Sequence, residues 1–129
     1  MRRLVERRTE QAWAEAERCR LHEAQTLKSL RDTKRSVQEH GYSQTDVSLR
    51  AAMYAYLDGL ESKIEVQKQR LRNAEQLEEK RKHQWLRARQ EREILDKLRE
   101  KKQEAFVAEQ SRREQNRLDD LKIRVLGGD

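Results

Sequence analysis

From Asp46 to Val125 the chain runs eighty residues with no proline and a single glycine, Gly59. Glu, Lys, Arg, Gln, Ala and Leu dominate this stretch, the residues that lose least side-chain freedom on entering a helix. As one α-helix it would reach about 120 Å at about 1.5 Å per residue, several times the width of a compact domain of this size. A rod is therefore the first expectation, and the remaining sequence must say what the rod packs on.

Charged residues make up 42% of the chain and apolar residues 34%, too little apolar surface for an ordinary globular core. Disorder is disfavoured because proline is absent, glycine is scarce and charges of both signs alternate. The net charge of +6 is unevenly spread. Residues 1–67 carry 12 basic and 11 acidic side chains, 68–103 carry 13 and 7, and 104–129 carry 5 and 6. The excess forms a basic sleeve between Lys68 and Lys102, a possible docking surface for an acidic partner, nucleic acid or anionic lipid. Acidic residues within it argue instead for a solvated face with i,i+4 pairs such as Glu78 with Lys82 and Glu93 with Lys97.

Residues 2–40 read as a first helix. Alternating steps of three and four place its seam at 5, 9, 12, 16, 19, 23, 26, 30, 33 and 37, where Val5, Ala12, Ala16, Cys19, Leu30 and Val37 are apolar. So thin a seam needs a partner helix. The segment 41–46 supplies the break: Gly41 can close the first helix in a left-handed conformation, and Ser43, Thr45 or Asp46 can cap the next. The second helix, about 46–126, repeats the alternation at 53, 57, 60, 64, 67, 71, 74, 78, 81, 85, 88, 92 and 95, then loses phase. The fold expected is all-α: one elongated two-helix antiparallel coiled-coil hairpin over 1–129 with a longer C-terminal helix. With the turn centred near residue 44, facing positions sum to about 88 to 90, pairing Val37 with Met53, Leu30 with Leu60, Cys19 with Leu71 and Val5 with Trp85. The first helix is then used up near residue 87. Beyond it Ile94, Leu98, Ala105 and Ala108 form a stripe of shifted phase, followed by Phe106, Val107, Leu118, Leu121, Ile123 and Val125. These read as a partner-binding face or a self-association face, with Gly127-Gly128-Asp129 as a frayed end.

No constellation for catalysis, metal binding or a cofactor is visible. His22, His40 and His83 lie far apart, no glycine-rich phosphate loop occurs, and Cys19 reads as a small buried hydrophobe rather than a nucleophile. Trp13 and Trp85 could stack on bases, but their helical spacing suits a core. No apolar run approaches the roughly 18 residues of a membrane span and no secretory signal is visible, so a cytoplasmic, soluble, non-enzymatic protein is expected.

The run Ile94-Leu-Asp-Lys-Leu-Arg-Glu-Lys-Lys-Gln-Glu-Ala-Phe106, continuing through Glu109-Gln-Ser-Arg-Arg-Glu-Gln-Asn-Arg-Leu-Asp-Asp120, resembles the C-terminal helix of the FliJ family. Tyr56-Leu-x-x-Leu-Glu-x-x-Ile64 is similar to the segment after that family's turn. Two features depart from the family plan: the first helix begins about a dozen residues late, and Thr33 and Val37 stand where an aromatic is expected. The resemblance implies a small stalk protein of the flagellar type III export apparatus, similar to the γ subunit of rotary ATPases. Its distal end would enter a hexameric export ATPase, through Leu98, Phe106, Leu118, Asp119, Asp120, Leu121 and Arg124. Its middle would touch the cytoplasmic part of the membrane export gate, through Leu30, Tyr56 and Leu60, and it can also engage export chaperones. The seam itself assigns Leu30 and Leu60 to the core face, leaving Tyr56 as the better exposed contact. Open alternatives are a self-associating coiled-coil tether and a basic nucleic-acid-binding helix.

Overall fold

The computed structural model describes residues 1–41 and 45–127. Helix α1 spans Arg2–Gly41 and helix α2 spans Val47–Gly127, and the described residues include no strand. Uninterrupted helix formers carry both elements. The threonines of α1 are accommodated by bonding back along the helix: Thr9 donates to the Val5 carbonyl at 2.9 Å, Thr26 to that of His22 at 3.0 Å and Thr33 to that of Ser29 at 2.9 Å. Asp46 is the cap of α2. Its carboxylate accepts from the Ser48 backbone N–H at 2.9 Å, and its carbonyl takes the first helical bond from Arg50 at 3.0 Å. Thr45 is exposed, and Ser43, the other cap considered, lies outside the described residues, as do Gly128 and Asp129.

The chain divides into two units, Met1–Ala88 and Arg89–Asp129. The boundary falls close to residue 87, where the first helix was expected to be used up, and before Leu95, where the seam of α2 was expected to lose phase. In the first unit α1 lies antiparallel to the leading half of α2, as Trp13 with Trp85 at one end and Lys34 with Glu61 towards the other show. The core is thin. Ala16, Leu27, Leu60, Ile64 and Ala88 are its buried apolar members, joined by one buried amide, Gln67.

On α2 the expected seam is the observed one. Every position from Met53 to Leu95 in that series is buried or half-buried. On α1 the seam is shifted or widened by one residue at every second step. The covered series is Glu6, Thr9, Trp13, Ala16, Arg20, Glu23, Leu27, Leu30, Lys34, Val37 and Gly41; of the expected positions Val5, Cys19 and Thr33 are exposed and give way to the next residue along, while Ala12 and Thr26 stay half-buried beside Trp13 and Leu27. The cause is side-chain size. Trp13 and Leu27 bury far more apolar surface than Ala12 and Thr26, while Arg20 and Lys34 lay their aliphatic stems over the seam and reach Glu78 and Glu61 with their charged ends. Cys19 is accordingly exposed, not buried.

The register also differs from the symmetric-turn expectation. Glu23 with Gln67 keeps the expected sum of 90, but Gly41 with Met53, Lys34 with Glu61, Arg20 with Glu78 and Trp13 with Trp85 give sums of about 94 to 98, one to two turns of α2 later. Val5 therefore does not pair with Trp85; it is exposed, and Trp13 takes its place. Gly41 is the last residue of α1 and has no left-handed backbone, contrary to the closing role expected of it. Its glycine serves close approach: a Cβ there would overlap the Sδ and Cε of Met53.

Candidate partner-binding surfaces

Two sets of residues singled out by sequence fall in different units, and each is built differently. In the first unit Leu60 is a core residue, 4% exposed. Leu30 is half-buried and lines a groove with Ser62, Lys63, Val66, Gln67 and Arg70. Tyr56 stands one step off the seam and is 51% exposed, in keeping with the periodicity. Exposed with it are Val47, Leu49 and Tyr54, which periodicity alone did not single out. Near them an open groove of about 480 Å³ is lined by Ser36, Val37, His40, Gly41, Leu49, Ala52 and Met53. It exists because α1 ends opposite Met53, leaving the first turn of α2 uncovered. Only the true register reveals that overhang.

Gln67 adds a polar fixture to the same region. Its Nε2 donates to the Glu23 backbone carbonyl at 3.0 Å and to the Glu23 carboxylate. A buried amide with partners at one position favours that register over slipped ones, because sliding the helices would leave it unsatisfied.

The second unit is helical as far as Gly127, and most of its side chains are exposed. Arg92, Glu93, Leu95, Asp96 and Glu109 are half-buried. Ile94, Leu98, Phe106, Val107, Leu118, Leu121, Ile123 and Val125 are all exposed, as are Asp119, Asp120 and Arg124. Side-chain pairs one turn apart support the helix: Arg89 with Glu93 at 3.1 Å, Arg92 with Asp96 at 2.9 Å, and Glu109 with Arg112 at 2.7 Å and Arg113 at 3.2 Å. The bond from Arg112 holds the Glu109 carboxyl below the ordinary carboxylate range. A depressed carboxyl pKa contributes above its unfolded value and loses that contribution as pH falls through the folded one. Asp119 accepts from Gln115 at 3.2 Å.

Two expected pairs are replaced. Glu78 crosses to Arg20 instead of meeting Lys82, and Glu93 pairs with Arg89 instead of Lys97. Trp13 and Trp85 face each other at 5.0 Å between ring centroids, tilted by 34°, a packing pair within the hairpin. Among the described residues no group of three or more His, Cys, Asp and Glu side chains could hold a metal ion, and no helix is long and apolar enough to cross a membrane.

An all-α hairpin, and a further helical unit whose large apolar residues are mostly exposed, match the plan that the distal motif suggested. Compared with known families, residues 1–127 match the flagellar FliJ protein family. The chain belongs to the FliJ family. As a FliJ-family member it is a component of the flagellar protein export apparatus. The matched span takes in Leu30, Tyr56, Leu60 and every distal candidate from Leu98 to Arg124. No curated protein and no solved structure matches the chain.

Proposed function

We propose that this FliJ-family protein is a cytoplasmic, non-enzymatic stalk that couples a hexameric export ATPase to the export gate at the inner face of the cell membrane. The observation that carries the reading is the division of labour along α2. From Met53 to Ala88 its seam residues are covered within the hairpin, whereas from Ile94 to Val125 the large apolar residues other than Leu95 face solvent on a well-formed helix. A long helix with an uncovered apolar face can bind some subunit conformations of a ring better than others and so bias its assembly or turnover. In this reading Leu98, Phe106, Leu118, Asp119, Asp120, Leu121 and Arg124 face the ATPase. Tyr56 is the gate contact, with Leu60 and Leu30 setting the position of the helix beneath it. Export chaperones are further partners of the hairpin.

Adding the full chain to the cognate export ATPase is expected to raise its rate of ATP hydrolysis, and a chain truncated after Leu95 is expected to have no effect. An unchanged rate with the full chain would overturn the ATPase role.

A further inference from the structure

Steps of four and three from Val107 pass through Ser111, Glu114, Leu118, Leu121 and Val125, a second seam within Arg89–Gly127. Ser111 and Glu114 interrupt it. Val107, Leu118, Leu121 and Val125 are each exposed by half or more of their surface, apart from Leu121 at 49%. The phase differs from that of the hairpin seam, so this face does not continue it.

The residues bordering the seam indicate the chemistry of an occupant. On a helix with this phase the bordering positions are Ala108, Gln110, Gln115, Arg117, Lys122 and Arg124, three cations and no acid. Of the acids nearby, Glu114 lies on the seam itself, leaving the face with three cations to one acid, and Glu109, Asp119 and Asp120 fall on the remaining faces, where Glu109 is engaged by Arg112 and Arg113. Among the described residues Arg117, Lys122 and Arg124 form no ion pair. Within the hairpin this chain answers cations at the seam with acids across it, as Arg20 with Glu78 and Lys34 with Glu61. A second copy laid on the distal seam would instead set Arg117 against Lys122 in parallel pairing, or these cations against one another in antiparallel pairing, and like charges at such positions oppose association.

We propose that the Val107–Val125 face receives an acidic amphipathic helix from another protein, apolar at the seam and carrying Asp or Glu along its borders. The inference rests on the reading of the distal helix as a partner-facing end and specifies what that partner presents.

The test uses the full chain and two synthetic peptides of roughly four heptads, both with Leu and Val at the seam, one with Glu and one with Lys at all bordering positions. Calorimetric titration at low salt is expected to show the Glu peptide binding about tenfold or more tighter than the Lys peptide, with the difference shrinking as salt is raised. The triple variant Arg117→Glu, Lys122→Glu, Arg124→Glu is expected to reverse the preference. Leu118→Glu with Leu121→Glu is expected to abolish binding of both peptides while leaving the circular dichroism spectrum unchanged, since both side chains are exposed. Equal affinity for the two peptides, a preference that the charge reversal leaves in place, or no binding of either would overturn the proposal. So would dimerisation of the chain alone that Leu118→Glu removes. Because no ATPase is present, failure here with ATPase stimulation intact would sink the acidic-helix assignment alone, and intact peptide selectivity without stimulation would sink the stalk reading alone.

Discussion

Trp13 illustrates how one side chain can set the phase of a helix. Its ring meets Trp85 at 5.0 Å, and its indole Nε1 is buried without a hydrogen-bond partner. Losing the ring should cost more than losing the unsatisfied N–H. Trp13→Ala is expected to destabilise the hairpin by about 2 to 3 kcal/mol, below the range for a fully buried aromatic because Trp13 is half-buried, whereas Trp13→Phe should cost clearly less. Urea unfolding of the two variants checks both statements. Cys19 makes the converse point. Apolar spacing put it in the core, but the larger neighbours at Trp13 and Leu27 rotate α1 so that it faces solvent. Its thiol is expected to react with an aromatic disulfide reagent in the folded protein at nearly the rate seen in denaturant, and strong protection would contradict the observed phase.

At the level of elements, the helices differ in how they are specified. For α2 the series from Met53 to Leu95 was legible because large apolar residues, Leu57, Leu60, Ile64 and Leu71 among them, repeat at the right steps. For α1 small and polar residues satisfied two neighbouring phases almost equally, and the choice depended on which long side chains could reach across. The start of α2 was readable as a set of capping residues, of which Asp46 is the one used. Asp46→Ala is expected to lower the stability of the hairpin by about 1 kcal/mol, measured as a shift in its unfolding midpoint, with Asp46→Asn close to neutral. Tyr56 could be placed off the seam from periodicity, but the overhang carrying Val47, Leu49 and Tyr54 could not, because it depends on where α1 stops against Met53.

Across the whole molecule, the two units draw on different sources of stability. Met1–Ala88 has a seam of buried side chains and ion pairs between helices far apart in sequence. Arg89–Gly127 depends largely on helix propensity and on weak, solvent-screened pairs one turn apart. Amide hydrogen exchange is therefore expected to separate them. Protection should be high around Leu60, Ile64 and Ala88 and fall steeply beyond Asp96, so that residues near Phe106 exchange orders of magnitude faster than those near Ile64. Binding of a partner helix to the distal seam should raise protection there first. Equal protection in the free chain would mean that the second unit has a core of its own.

What the sequence determined by itself was the helical class, the break near residues 41–46, the full seam of α2 and the family, because each depends on local propensity or on a pattern carried by consecutive residues. The tertiary structure decided the face that α1 presents, the register of the hairpin and the exposure of Cys19. Those follow from competition among contacts separated by some twenty to seventy residues, in which bulk and charge at Trp13, Leu27, Arg20 and Lys34 outweigh the apolar count along a single helix.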